Sequence, residues 1–199
     1  MPKFATEFIR GRLDGFEKDM QICLTPVKLK TQSGITHAYF PALSACCGIL
    51  EYLAALYRGN IRGVGWQQVA EWAHVFMTQP DYDQETIRIL VEAFRHPVAH
   101  RGIASGVWVD RNHGAGKGRR LTWKVSADAK HPACEIVAEK GQLRKDPPWQ
   151  CPYTHRVHIH LRGMWIDVRN AANLYCEKVT TNQKLQTNFV ACMKQLYPT

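Results

Sequence analysis

The hydrophobic period of this chain changes near residue 102 and changes back near residue 162. Before the first switch apolar residues recur at helical spacing. Between the switches they alternate, and after the second the helical spacing returns. Such a chain must place a strand-forming segment inside a helical body, because a period-2 pattern cannot bury its apolar face as a helix, nor a period-3.6 pattern as a strand. The expectation is a mainly α (α+β) fold: a helical bundle over 1–102, a basic β-rich insertion over 103–161 forming a small antiparallel sheet packed on the same domain, and closing helices over 162–199.

The same pattern locates the elements. Phe4, Phe8, Ile9, Leu13 and Phe16 make one helical stripe in residues 3–23, stopped by Thr25-Pro26. Residues 36–57 are apolar nearly all round and predict the central buried helix, with Ala42, Ser44, Ala45 and Gly48 small enough for close approach of a neighbour. A third helix starts after Gly65 and ends before Pro80, and Asp81 or Asp83 can cap a fourth that carries Ile87, Leu90, Val91, Phe94 and Val98. Three or four antiparallel strands are expected between 106 and 161, with good alternation in Leu121-Trp123-Val125 and Val157-Ile159-Leu161. Helices are expected again over 164–180 and 183–196.

Charge sharpens this division. The chain has 199 residues, 26 Lys and Arg against 17 Asp and Glu, a net +9. The first hundred residues hold ten of each sign, so the whole excess lies in the second half, and residues 101–162 alone hold 12 basic and 5 acidic residues. A basic segment of this kind is suited to meeting a polyanion. A 45% hydrophobic and 22% charged composition excludes bulk disorder, collagen-like and coiled-coil classes. No run approaches the roughly 18 apolar residues of a membrane span, and the acidic residue at position 7 in a start without an apolar segment does not read as a signal peptide. Seven cysteines, an odd number without a Cys-x-x-Cys pair, suit a reduced setting, so a cytoplasmic protein is expected. Gly114 to Gly118 lacks the earlier Gly and the Ser or Thr after Lys of a phosphate loop, and neither a Gly-x-Ser-x-Gly elbow nor a His-Glu-x-x-His zinc motif occurs.

The sharpest local feature closes the fourth helix: Arg95-His96-Pro97-Val98-Ala99-His100-Arg101-Gly102. Pro97 has no N–H to bond the carbonyl of Ala93 and disfavours helical geometry at His96, so a kink is expected there. Phe94 and Val98 anchor the segment to the core and leave Arg95, His96 and His100 to point outward. A guanidinium binds a phosphate at two points and stabilises developing charge. An imidazole can take a proton from a 2′-hydroxyl or give one to a leaving 5′-oxygen. The bland alternative is a helix end whose cations meet its last carbonyls.

This stretch resembles the R-x(4–6)-H signature of the HEPN superfamily, the higher eukaryotes and prokaryotes nucleotide-binding domains. A polar residue after the Arg (here His96), a small residue before the last His and a Gly soon after it are usual in that family. The resemblance spans roughly 36–102, with the helix from 164, and not the β-rich stretch. It implies a short helical bundle with the motif late in it, and metal-independent ribonuclease activity of the toxin–antitoxin, phage-defence or RNA-processing kind. It also implies an active site formed where two copies of the motif meet in a homodimer. His100 would be the catalytic imidazole, Arg95 the phosphate-binding cation and His96 the polar helper, with RNA as partner, no cofactor or metal, and in some systems a neutralising antitoxin.

The second constellation lies in the insertion. Arg156, His158, His160 and Arg162 fall on one face at period 2, opposite Val157, Ile159 and Leu161. With Arg101, Lys117, Arg119, Arg120 and Lys124, and with Trp108 and Trp123 as stacking surfaces, they could form a phosphate-binding sheet. The bland reading is a solvated sheet face with the tryptophans in the core. His158-x-His160 is a weak metal signal without a matching Cys or His. The residues leave three function classes open: an RNA-binding protein that is a candidate metal-independent ribonuclease, a non-catalytic HEPN-like binding and dimerisation module, and a small-molecule or nucleotide sensor with its pocket between bundle and sheet.

Overall fold

A computed structural model describes residues 1–28, 35–78, 80–101, 104–111, 118–143 and 150–198. Helix α1 (Pro2–Cys23) leads through a two-strand ribbon, β1 (Val27–Lys28) and β2 (Ile35–Thr36), into α2 (Tyr39–Arg58) and α3 (Trp66–Phe76). Helix α4 (Gln84–Ile89) passes into a π-helical turn (Leu90–Arg95) and then α5 (His96–Arg101). Strands β3 (Trp108–Asp110), β4 (Arg119–Ser126), β5 (Cys134–Gln142) and β6 (Pro152–His160) come next, and α6 (Leu161–Thr181) and α7 (Gln183–Leu196) close the chain. The fold is α+β and mainly helical.

Helix α2 is the centre. Contrary to the expectation that no stretch approaches a membrane span, it is long and apolar enough to cross a bilayer by composition, yet Leu43, Cys46, Ile49, Leu50, Leu53 and Leu56 are all buried among the other helices. Burying each such side chain contributes roughly 1.5–3 kcal/mol. The helix stops at Gly59, which adopts a left-handed φ of 83° while its N–H bonds the carbonyl of Ala55. Not all of its small residues serve packing within the chain: a Cβ placed on Gly48 would meet nothing within 4 Å. The other ends are capped as their residues allow. Asp83 accepts from the Thr86 N–H at 2.8 Å, and Asn182 accepts from the Leu185 N–H at 3.1 Å.

The sheet has the order β3-β4-β6-β5. It is mixed, correcting the expected antiparallel arrangement: β4 and β6 run parallel, with Leu121 opposite His155 and Ser126 opposite His160. Strand β5 is laid down at the edge first, and β6 returns antiparallel to it in the gap beside β4. Alternation specifies which face of a strand is apolar but not which strand lies beside it. Leu121, Cys134, Val157 and Ile159 face inward and join the core of the helices, so insertion and bundle share one hydrophobic core. Leu161 begins α6 directly after β6 rather than ending the strand. Gly163 permits this sharp change, since a Cβ there would lie 2.4 Å from the carbonyl oxygen of Lys130.

Candidate functional site

The motif sits where α4 gives way to α5. The expected kink at Pro97 is resolved as a π-helical turn, with the His96 N–H bonded to the carbonyl of Val91, five residues back. The wider turn accommodates a proline that cannot bond Ala93 and would crowd its carbonyl in a regular helix. It also changes the phase of α5: Pro97 is buried, and Val98, the expected core position, is only half-buried. His96 and His100 are both exposed. Their rings lie edge to face with centroids 6.3 Å apart.

Arg95 is not a free cation. Its Nε and Nη2 donate to Glu51 Oε2 at 3.1 and 2.8 Å. The arginine side chain is 27% exposed and the carboxylate 17%. This pair ties the π turn to α2 and leaves the remaining Nη1 as the group that could meet a phosphate without displacing Glu51. Cys47 lies beside the pair, but burial, reinforced by Glu51, pushes its pKa up to about 12. It is therefore a thiol and not a nucleophile. All seven cysteines are free.

One helical run earlier lies a second charged cluster that the sequence pattern did not flag as a unit. Arg88 donates two parallel bonds to the Asp110 carboxylate, at 3.0 and 2.8 Å, and a third to Glu92 at 3.3 Å. Arg119 reaches the same carboxylate at 3.3 Å and lies 2.7 Å from Glu85. Asp110 is completely buried. Its hydrogen bonds raise the Arg88 pKa beyond its already high ordinary value. The cluster fastens α4 to β3 and β4.

It also relocates one residue expected to hold nucleic acid. Arg119 points to the core face of β4 and is consumed by Asp110 and Glu85, because it shares parity with Leu121. Trp108 and Trp123 likewise pack against the core rather than offering stacking surfaces. Arg88 lies over the Trp108 ring, and Trp123 donates to the Ser105 carbonyl at 2.8 Å and meets Phe40 edge on.

The outward row does bring Lys124 and His158 together, in register with Glu135 on β5. Lys124 is exposed, and His158 Nε2 is enclosed without a hydrogen-bond partner among the described residues. Arg156 is tied to Glu139 at 2.9 Å and to the Tyr153 hydroxyl. Arg120 Nε donates to the Pro152 carbonyl at 2.7 Å. His160 Nδ1 is 2.8 Å from Ser126 Oγ, and burial lowers its pKa. The face is thus mixed, with Glu135 and Glu139 among the cations. Arg162 leaves it altogether: it sits in the first turn of α6 and donates to the Leu24 carbonyl at 3.1 Å. Lys117 and the side chain of Arg101 lie outside the described residues. Among the described residues no three His, Cys, Asp or Glu side chains come together as a metal site.

Glu51 and Asp110 are the residues that motif spacing missed. Each had a signal: Glu51 is the one charged residue in the apolar stretch 36–57, and Asp110 comes directly after an apolar strand. A lone carboxylate in such a place calls for a buried cation. Comparison with protein-family models, curated proteins and solved structures finds no match to this chain.

Proposed function

We propose that this chain is a HEPN-like RNA-binding protein acting as a metal-independent endoribonuclease of the toxin or phage-defence type, as a homodimer. The observation that supports it most is the pair of exposed imidazoles, His96 and His100, with ring centroids 6.3 Å apart beside Arg95. A proton acceptor and a proton donor that each reach within about 3 Å of opposite oxygens of one phosphate stand roughly this far apart. One imidazole would take the 2′-hydroxyl proton as that oxygen attacks phosphorus. The other would protonate the leaving 5′-oxygen, giving a 2′,3′-cyclic phosphate and a 5′-hydroxyl. Arg95 would meet the charge on the non-bridging oxygens. The open stripe at Ser44 and Gly48, next to Glu51 on α2, is where a second copy could approach closely.

The test is cleavage of a labelled single-stranded RNA. The expected products carry cyclic phosphate ends and form in the presence of EDTA. His100→Ala lowers the rate by about 10²–10⁴-fold at an unchanged melting temperature, since the side chain is exposed. Cleavage that persists in both His100→Ala and Arg95→Ala rejects the assignment. The Arg95–Glu51 pair supports a second reading, a non-catalytic module of the same fold in which the arginine is structural. That reading expects RNA or DNA affinity that falls steeply with salt and no cleavage.

A further inference from the structure

A hollow of about 460 Å³ opens where the ends of α2 and α6 meet α3 and the start of α7. Its volume lies within the roughly 300–1,000 Å³ of small-ligand sites, and none of its lining residues belongs to the Arg95-His96-His100 motif. Three cations from three helices line it, Arg58 of α2, Lys178 of α6 and Lys184 of α7, against one carboxylate, Glu71 of α3. Two of the cations are held in place. Arg58 Nη1 donates to the Gly63 carbonyl at 3.2 Å, and the Lys178 ammonium rests 5.2 Å from the Phe76 ring centroid. Among the described residues none of the three is ion-paired. Arg58 and Lys178 lie in the last turns of their helices, where a cation suits the helix dipole. Lys184 has no such reason to be there: it sits in the first turn of α7, which holds no acidic residue. A cleft lined mostly by one sign of charge concentrates the opposite ion.

We propose that this hollow binds a phosphorylated sugar or polyol, an inference that stands apart from the RNA reading above. Three positive charges against one negative leave a local +2, which matches the roughly −1.5 to −2 of a phosphate monoester near pH 7. A guanidinium fork and two ammonium groups are donors suited to its oxygens. The rest of the ligand would meet groups suited to hydroxyls. Glu71 accepts from them, and Asn182, whose side-chain oxygen holds the Leu185 N–H, keeps its amide nitrogen as a donor. A nucleobase is served less well. Phe76 is 6% exposed, with Trp72 stacked on its ring and Lys178 over it, so it offers no open face.

The experiment is isothermal titration calorimetry of the full chain with inorganic phosphate, glycerol 3-phosphate, ribose 5-phosphate, glucose 6-phosphate and adenosine 5′-monophosphate. At least one of the three phosphorylated sugars or polyols is expected to bind more tightly than inorganic phosphate, and its unphosphorylated counterpart not to bind. Lys184→Gln and Lys178→Gln each weaken that ligand at least about tenfold. Both side chains are exposed, so the fold is retained, and an unchanged melting temperature without ligand checks this. Lys3→Gln, on an exposed position of α1, leaves binding as it was. The inference is overturned if none of the three binds, or if adenosine 5′-monophosphate binds more tightly than all of them. It is also overturned if Lys3→Gln weakens binding as much as the other two variants, which assigns the effect to the overall positive charge. An equal loss of affinity, in Lys184→Gln and Lys178→Gln, for a single-stranded RNA without terminal phosphates overturns it as well, since the cations then serve a polyanion rather than a monoester.

Discussion

Arg88 and Arg95 lie seven residues apart on one helical run and end in opposite circumstances. Arg88 is 10% exposed and bonded at two points to a carboxylate that is 0% exposed. Arg95 is 27% exposed and shares one oxygen of Glu51. The first arrangement is closed, with no capacity left for a ligand, and its charges are enclosed by strands and helix. The second is open on one side and followed by two imidazoles in solvent. Under the function proposed above, the contrast separates the two: only a cation anchored enough to hold its place and incompletely paired could still gain from an incoming phosphate.

The strongest way to break this contrast is to remove the shared carboxylate. Asp110→Asn leaves two guanidinium groups buried around a neutral amide and is expected to cost about 3–5 kcal/mol, read from urea unfolding. A loss under about 1 kcal/mol would mean that water or Glu85 and Glu92 satisfy the cluster without Asp110, and that the two arginines are alike after all. Glu51→Gln probes the other end. It is expected to cost only about 1–2 kcal/mol and, by freeing the fork of Arg95, to tighten RNA binding several-fold in filter binding at fixed salt. Unchanged RNA affinity would place Arg95 with Arg88 as a structural group.

The smallest expected effect concerns the sheet. His160 has its pKa lowered by burial, so below its ordinary value of about 6.5 the unfolded chain binds a proton that the folded chain resists. Its contribution to stability is complete above that pH and is lost as pH falls through the folded value. Wild-type protein should therefore lose stability on acidification below about pH 6.5 more steeply than His160→Gln. Equal slopes in denaturant titrations at pH 7 and pH 5.5 would show that burial does not favour the neutral ring.

The positions of the elements were legible because helix and strand periods are local. Residues 3–23, expected as a helix, form α1 at Pro2–Cys23, and 183–196 form α7. A cap at Asp81 or Asp83 was legible for the same reason, and the fold uses Asp83. The kink at Pro97 was legible as an interruption but not as a π turn, since the missing N–H names the problem and the surrounding packing chooses the remedy. Arg119 and Arg120 could not be told apart by composition. They differ only in parity on β4, and parity became a difference in chemistry once Asp110 lay opposite Arg119. Likewise Trp123 read as a stacking surface until its alternation with Leu121 was set against a core on that side.

By itself, then, the amino-acid order determined a helical body interrupted by strands, a net charge carried by its second half, and an Arg-His-His motif at the end of the fourth helical run. Tertiary structure alone decided that β4 and β6 lie parallel, that Arg119 is buried and that Glu51 holds Arg95. The reason is one of range. Periodicity and capping act over a few residues, whereas Arg95 finds its carboxylate 44 residues away and Arg88 finds its own 22 away. The worth of a charge depends on which distant groups enclose it, and that is settled only when the chain has folded.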